Sequence, residues 1–196
     1  MYQVFGTIRS RTLRVLWMLE ELGQPYEFVQ TQPRASDLMP KNPGGKVPVL
    51  VEGDHTIIDS VAIITYLADK HGQLTHHAGT PERAKQDSFT QFACDELDGS
   101  LWTAAKHTFV LPEDKRLPDI KPVARWEWTR ACETLEIRLG ENTFVTGETF
   151  TVPDLLIGHC AGWALAAKFD WPDGSVGNYF QRLLDRPARA RALKAG

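Results

Sequence analysis

Two hydrophobic periodicities divide this chain. Before residue 59, short apolar runs of strand length flank a single helical stripe. Beyond Thr80, the apolar residues recur at helical spacing. That order predicts a small α/β unit followed by an all-helical one. The 196 residues suffice for one full domain or two small ones, and are too few for a barrel enzyme with a separate cofactor domain.

Tyr2 to Phe5, ended by Gly6, reads as a strand. From Ser10 to Leu22, Val15, Met18, Leu19 and Leu22 form a helical stripe that Leu13, Leu16 and Trp17 widen, with Gly23 as its C′ residue. Pro25–Val29 reads as a second strand. The polar stretch from Gln32 to Gly45 reads as a loop with a short helix at Ser36–Met39. Val47–Val51 and His55–Ile58 then form a hairpin around Glu52-Gly53-Asp54, and Asp59-Ser60 caps a helix that ends near His71-Gly72. Pro48 belongs at a strand's start, at an edge or in a special turn, because it has no N–H to give a central strand.

The polar segment Gln73–Thr80 marks a boundary, so the sequence divides into domains at 1–74 and 81–196. Thr80-Pro81 starts a long helix with Phe89, Ala93, Leu97 and Leu101 at i+4 spacing. Pro112, Pro118 and Pro122 make His107–Pro122 a loop, and a helix from about Val123 to Leu139 follows. Thr151 and Asp154 have the spacing of a capping box, with Phe150 and Leu155 as its hydrophobic staple, ahead of an apolar helix to about Ala167 that is predicted to be the centre of the bundle. Val176–Asp185 and Pro187–Ala195 supply two short helices.

The formal charge of −3, from 22 basic and 25 acidic residues, provides no field to hold a polyanion, so nucleic acid is not an expected partner. No run of 18 apolar residues suggests a membrane span and the N-terminus lacks a signal-peptide pattern, which makes a cytoplasmic protein the expectation. Cys94, Cys132 and Cys160 are widely spaced within helical patterns and read as buried reduced thiols, with no metal role.

Four elements invite a chemical reading: Arg9-Ser10-Arg11, Asn42-Pro43-Gly44-Gly45-Lys46-Val47-Pro48, Asp59-Ser60, and Thr151-Val152-Pro153-Asp154. Taken singly, each is a helix cap or a turn. In this order and at these spacings, across nearly the whole chain, they resemble the cytosolic glutathione S-transferase family, in its serine-type, bacterial-like form. The resemblance implies a thioredoxin-like N-terminal domain and an all-helical C-terminal domain. It further implies a homodimeric detoxification enzyme that conjugates glutathione, as co-substrate, to small hydrophobic electrophiles without a metal.

Carried onto this sequence, the resemblance makes Ser10 the donor to the glutathione thiolate at a helix N-terminus, where the dipole lowers the thiol pKa. Arg9, Thr7 and Thr12 are supporting candidates. Val47 offers its backbone to the cysteinyl unit, with Pro48 as the family's cis proline, while Lys46, or less directly Lys41, meets the glycyl carboxylate. Ser60 holds the γ-glutamyl carboxylate and Asp59 its ammonium. The electrophile is expected near the helices from Phe89 to His107, with Phe92, Trp102 and His107 as candidate lining. Two other outcomes share the scaffold: a glutathione-binding or interaction module without turnover, and a glutathione-dependent isomerase or peroxidase. The absence of cysteine from the first 93 residues disfavours exchange through a protein thiol.

Overall fold

The computed structural model describes residues 1–195, which form two compact units: Met1–His77 together with the chain from Asp185 onward, and Ala78–Leu184. In the first, strands β1 (Tyr2–Gly6), β2 (Tyr26–Gln30), β3 (Val49–Glu52) and β4 (His55–Ile58) form one sheet in the order β2-β1-β3-β4. β1 is parallel to β2, pairing Gly6 with Gln30, and antiparallel to β3, pairing Phe5 with Val49. β4 returns beside β3, pairing Ile58 with Val49. This register brings the exit of β1, the entry to β3 and the exit of β4 to one end of the sheet.

Both long helices of this unit start at that end. Helix α1 (Thr12–Glu21) follows β1, and α2 (Ser60–His71) follows β4 and packs on α1. Thr12 to Leu19 are eight consecutive buried residues, so α1 is enclosed on most of its circumference. Its first residue sits against β1, because a Cβ on Gly6 would come within 2.1 Å of Thr12 Oγ1. Only glycine fits there. The segment between β2 and β3 forms turns, without the short helix expected at Ser36–Met39. Its anchor is Leu38, which is fully buried in a cluster with Phe5 and Val49.

The second unit holds α3 (Pro81–Phe92), α4 (Gly99–Ala105), α5 (Ile120–Leu139), α6 (Val152–Ala166) and α7 (Gly174–Leu184). Thr80 Oγ1 caps α3 by accepting the Arg83 N–H at 3.2 Å. Wider π-helical turns at Ala93–Asp98 and Lys106–Val110 flank α4. Helix α6 has the reciprocal Thr151–Asp154 capping box, is buried from Val152 through Ala161, and packs on α3, α4 and α7. The Trp128 ring lies 6.0 Å from both Phe169 and Phe180 and donates its indole N–H to the Asp170 carbonyl at 3.0 Å.

Two boundaries differ from the sequence expectation. Helix α5 begins at Ile120, because Pro122 falls in its first turn, where the missing N–H has no intrahelical acceptor to lose. Residues 106–110 and Glu113–Lys115 are helical turns within the expected loop. At its far end, the expected 81–196 domain is redrawn. Helix α8 (Pro187–Ala192) packs on α1, where the Arg186 guanidinium grips Glu21 through two bonds of 2.5 and 2.7 Å and Arg191 meets Glu20 at 2.7 Å. A bidentate arginine–carboxylate pair carries geometric preference as well as charge, and apolar periodicity contains no trace of it.

Candidate active site

The shared end of the sheet gathers the Thr7–Arg11 turn, the Lys46-Val47-Pro48 segment and Asp59-Ser60. Ser10 lies just ahead of α1. Its hydroxyl donates to the Thr7 carbonyl at 2.6 Å, lies 2.9 Å from Thr12 Oγ1, and accepts the Thr12 N–H at 3.1 Å. Arg11, with helical dihedrals, occupies the cap position, so Ser10 closes the turn one residue earlier than a simple N-cap would. Arg9 is exposed, Thr7 half-buried and Thr12 fully buried. Of the three hydroxyl-bearing residues Thr7, Ser10 and Thr12, Ser10 and Thr7 are half-buried.

The peptide bond between Val47 and Pro48 is cis, immediately ahead of β3. The loop leading into it is held by Asn42, which is itself buried. Its side-chain amide donates to the Lys46 carbonyl at 2.8 Å, its side-chain oxygen accepts the Gly44 N–H at 3.0 Å, and its backbone carbonyl accepts the Gly45 N–H at 2.8 Å. Lys46 is exposed, whereas the Lys41 ammonium lies 4.9 Å from the centre of the Phe5 ring. Asn42→Ala is expected to lower stability by about 1–2 kcal/mol by orphaning buried loop groups. It should also free the Lys46-Val47 backbone ahead of β3, and chemical denaturation with amide hydrogen exchange checks both effects.

Asp59 has φ 73° and ψ 122°, outside the regions comfortable for a side-chain-bearing residue, and its carboxylate caps α2 by accepting the Val61 N–H at 3.0 Å. Such a backbone costs about 1–3 kcal/mol and persists only where its surroundings hold it. Here it turns the chain sharply from β4 into α2, which leaves Ser60 as the first residue of the helix. Ser60 is buried, and its Oγ accepts a hydrogen bond from the Arg14 guanidinium at 3.2 Å. Two helix N-termini therefore open at the same end of one sheet, each with a serine hydroxyl. Partial positive charge at helix starts favours anions and thiolates.

Sequence reasoning missed Arg14 and Asn42 as site residues. Arg14 shares a stripe with Met18 and Leu22 at i, i+4 and i+8, and a charged residue on a buried stripe was the available signal. Asn42 stood within a motif read for its glycines. The three residues expected to line the electrophile site all belong to the helical unit. Phe92 is a core side chain, 5% exposed, with the Arg138 guanidinium 4.9 Å from its ring centre. Trp102 is half-buried on α4. His107 Nδ1 accepts the Leu117 N–H at 3.1 Å, which ties down the chain ahead of α5.

A family model described as the glutathione S-transferase N-terminal domain matches residues 10–75. The chain is 42% identical over 163 residues to glutathione S-transferase 3 of Schizosaccharomyces pombe, covering 74% of this chain and 66% of that one. It is 25% identical over 204 residues to the probable glutathione S-transferase GSTF1 of Oryza sativa subsp. japonica, covering 95% and 92%. Among solved structures, BphK, a bacterial glutathione transferase, superposes with a TM-score of 0.87 at 24% identity over 98% of each chain. The glutathione transferase URE2P6 from Phanerochaete chrysosporium, in complex with oxidized glutathione, superposes with a TM-score of 0.82 at 25% identity over 98% of this chain and 94% of that one. These likenesses establish that the chain belongs to the glutathione S-transferase family.

Proposed function

We infer that this protein is a glutathione transferase of the serine type, joining the thiolate of glutathione to small apolar electrophiles. The observation that carries this reading is the convergence of Ser10, Val47 and Ser60 at one end of the sheet, set by the register that pairs Phe5 with Val49 and Val49 with Ile58. A tripeptide laid along that end presents its thiol to the start of α1, its backbone to Val47 and its γ-glutamyl end to the start of α2. Ser10, whose single hydroxyl hydrogen turns from the Thr7 carbonyl to the sulfur when the ligand binds, stabilises the thiolate with support from Arg9, Thr7 and Thr12. Lys46, with Lys41 behind it, answers the glycyl carboxylate. Val47 and Pro48 hold the cysteinyl backbone, Ser60 takes the γ-glutamyl carboxylate, and Asp59 takes its ammonium.

The nucleophile is the ligand's own sulfur, and the protein's part is to hold it as thiolate beside an electrophile in the correct orientation. Within the helical unit, Trp102 and His107 are the better candidates to line an electrophile site, since Phe92 is committed to the core. The reading is tested by a steady-state screen with glutathione against aryl halides, epoxides, unsaturated carbonyls and hydroperoxides, run beside binding calorimetry. Turnover with the electrophiles supports it. Binding without turnover on any substrate favours a binding module, and turnover confined to hydroperoxides favours a peroxidase.

A homodimer in the cytoplasm completes the proposal. On the helical unit, Trp126 and Ile137 of α5 are 60% and 82% exposed, and two large apolar side chains left in solvent on one helix support a docking surface there. None of the three cysteines forms a disulfide, which accords with a reducing compartment. Sedimentation at micromolar protein is expected to give twice the 22.0 kDa chain mass, and a monomer alone would contradict the dimer.

A further inference from the structure

We propose that Arg14 is a positioning residue for glutathione recognition, acting through Ser60 to make the γ-glutamyl end of the site selective for a carboxylate; this rests on the glutathione reading given above. Arg14 is only 2% exposed, and a guanidinium kept in a protein interior is costly unless its charge and donors are used. One of its terminal nitrogens donates to Ser60 Oγ at 3.2 Å. A guanidinium carries donors and no acceptor, so in this bond Ser60 Oγ is the acceptor.

That fixes the polarity of the serine. A hydroxyl has one hydrogen to donate, and with an oxygen lone pair committed to Arg14, the Ser60 O–H is left to point at an acceptor in the site. The backbone cooperates: the Asp59 carboxylate takes the Val61 N–H and the Asp59 carbonyl takes the Ile63 N–H, so neither uses the Ser60 N–H. The start of α2 thus offers an O–H and an N–H beside a guanidinium that fixes the direction of the first. A carboxylate accepts from both, whereas a group that can only donate gains nothing from the N–H.

The test compares the affinities of wild type and Arg14→Met for glutathione and for two analogues by calorimetry. γ-Aminobutyryl-cysteinylglycine lacks only the α-carboxylate of the γ-glutamyl unit, and glutaryl-cysteinylglycine lacks only its amine. Methionine fills a similar volume without charge, and because removing one member of a buried polar pair lowers stability, each variant is first shown to be folded by its denaturation transition. Arg14→Met should lose about 10–100-fold in affinity for glutathione and for the glutaryl analogue, yet change less than about threefold for the γ-aminobutyryl analogue. In a Ser60→Ala background, the same substitution should cost less than about threefold for glutathione, because the residue through which Arg14 acts is gone. An equal loss for all three ligands, or a full loss in the Ser60→Ala background, would overturn the proposal and leave Arg14 a structural residue. If Arg14→Met does not fold, Arg14→Gln is measured in its place, and the same ratios support or overturn the proposal. A wild-type protein that binds glutathione no better than the γ-aminobutyryl analogue rejects the inference alone, whereas one that binds no glutathione rejects the reading beneath it as well.

Discussion

Ser10→Ala is expected to slow conjugation at neutral pH by about 10–100-fold and to raise the pKa of the bound thiol by roughly one to two, because a hydrogen bond to a charged group contributes about 1.5–3 kcal/mol. Glutathione affinity should change less, since most of the proposed contacts are to its carboxylates and backbone. The Ser10 hydroxyl donates to the Thr7 carbonyl and accepts the first amide of α1, so it also has a structural duty that the substitution removes. The two roles separate cleanly. Loss of a cap alone costs about 0.5–2 kcal/mol of stability and leaves the bound thiol unchanged, whereas loss of the thiolate's donor moves its pKa. An unchanged pKa in Ser10→Ala would transfer the role to Arg9, Thr7, Thr12 or the α1 dipole. Thr12 would be the hardest to argue for, because it is fully buried against Gly6.

The largest loss of stability is expected from Asp154→Ala. Its carboxylate is fully buried in the helical unit and accepts the Val145 N–H at 3.0 Å, the Thr151 N–H at 2.8 Å, the Thr151 hydroxyl at 2.9 Å and the Tyr179 hydroxyl at 2.6 Å. Burial pushes the Asp154 carboxyl up from the usual carboxylate range while these donors pull it back. Burial and the neighbouring carboxylate push the Tyr179 phenol well above its ordinary value. Alanine would orphan the four donors at once and remove the Asp154 half of the capping box of the central helix. With each orphaned buried group costing about 1–3 kcal/mol, and partial relaxation allowed for, the loss should be about 3–5 kcal/mol. Urea denaturation checks it, with Tyr179→Phe as a companion that leaves the other three bonds in place and should cost no more than about half as much. A loss below about 1 kcal/mol for Asp154→Ala would show that the network does not carry the helix.

The parts of this molecule that were legible in the sequence are those written in local periodicity or local capping. The strand at Tyr2, the helix ended by Gly72, the Thr80-Pro81 start of α3 and the Thr151–Asp154 box all declare themselves within a few residues. What remained hidden depends on partners distant along the chain. Arg186 meets Glu21 and draws α8 onto α1, although apolar spacing alone assigns α8 to the helical half. Leu38 looks like one apolar residue in a polar loop until Phe5 and Val49 close around it. Pro122 marks the end of a loop on propensity, yet the first helical turn tolerates it. The site was legible as a set of segments, because its motifs are contiguous. Its internal wiring was not, since Arg14 and Ser60 are separated by 46 positions and meet only when α1 packs on α2.

If this end of the sheet binds glutathione, it must also hold the bound sulfur as a thiolate at neutral pH. The most direct test is a pH titration of the ultraviolet thiolate absorbance of glutathione bound to the wild-type protein, at saturating protein and beside free glutathione. The bound thiol should titrate at least one pH unit below the free one, which, like an unperturbed cysteine, ionises near 8.5 or slightly above. A bound thiol that titrates together with free glutathione, or no saturable binding at all, would contradict the account.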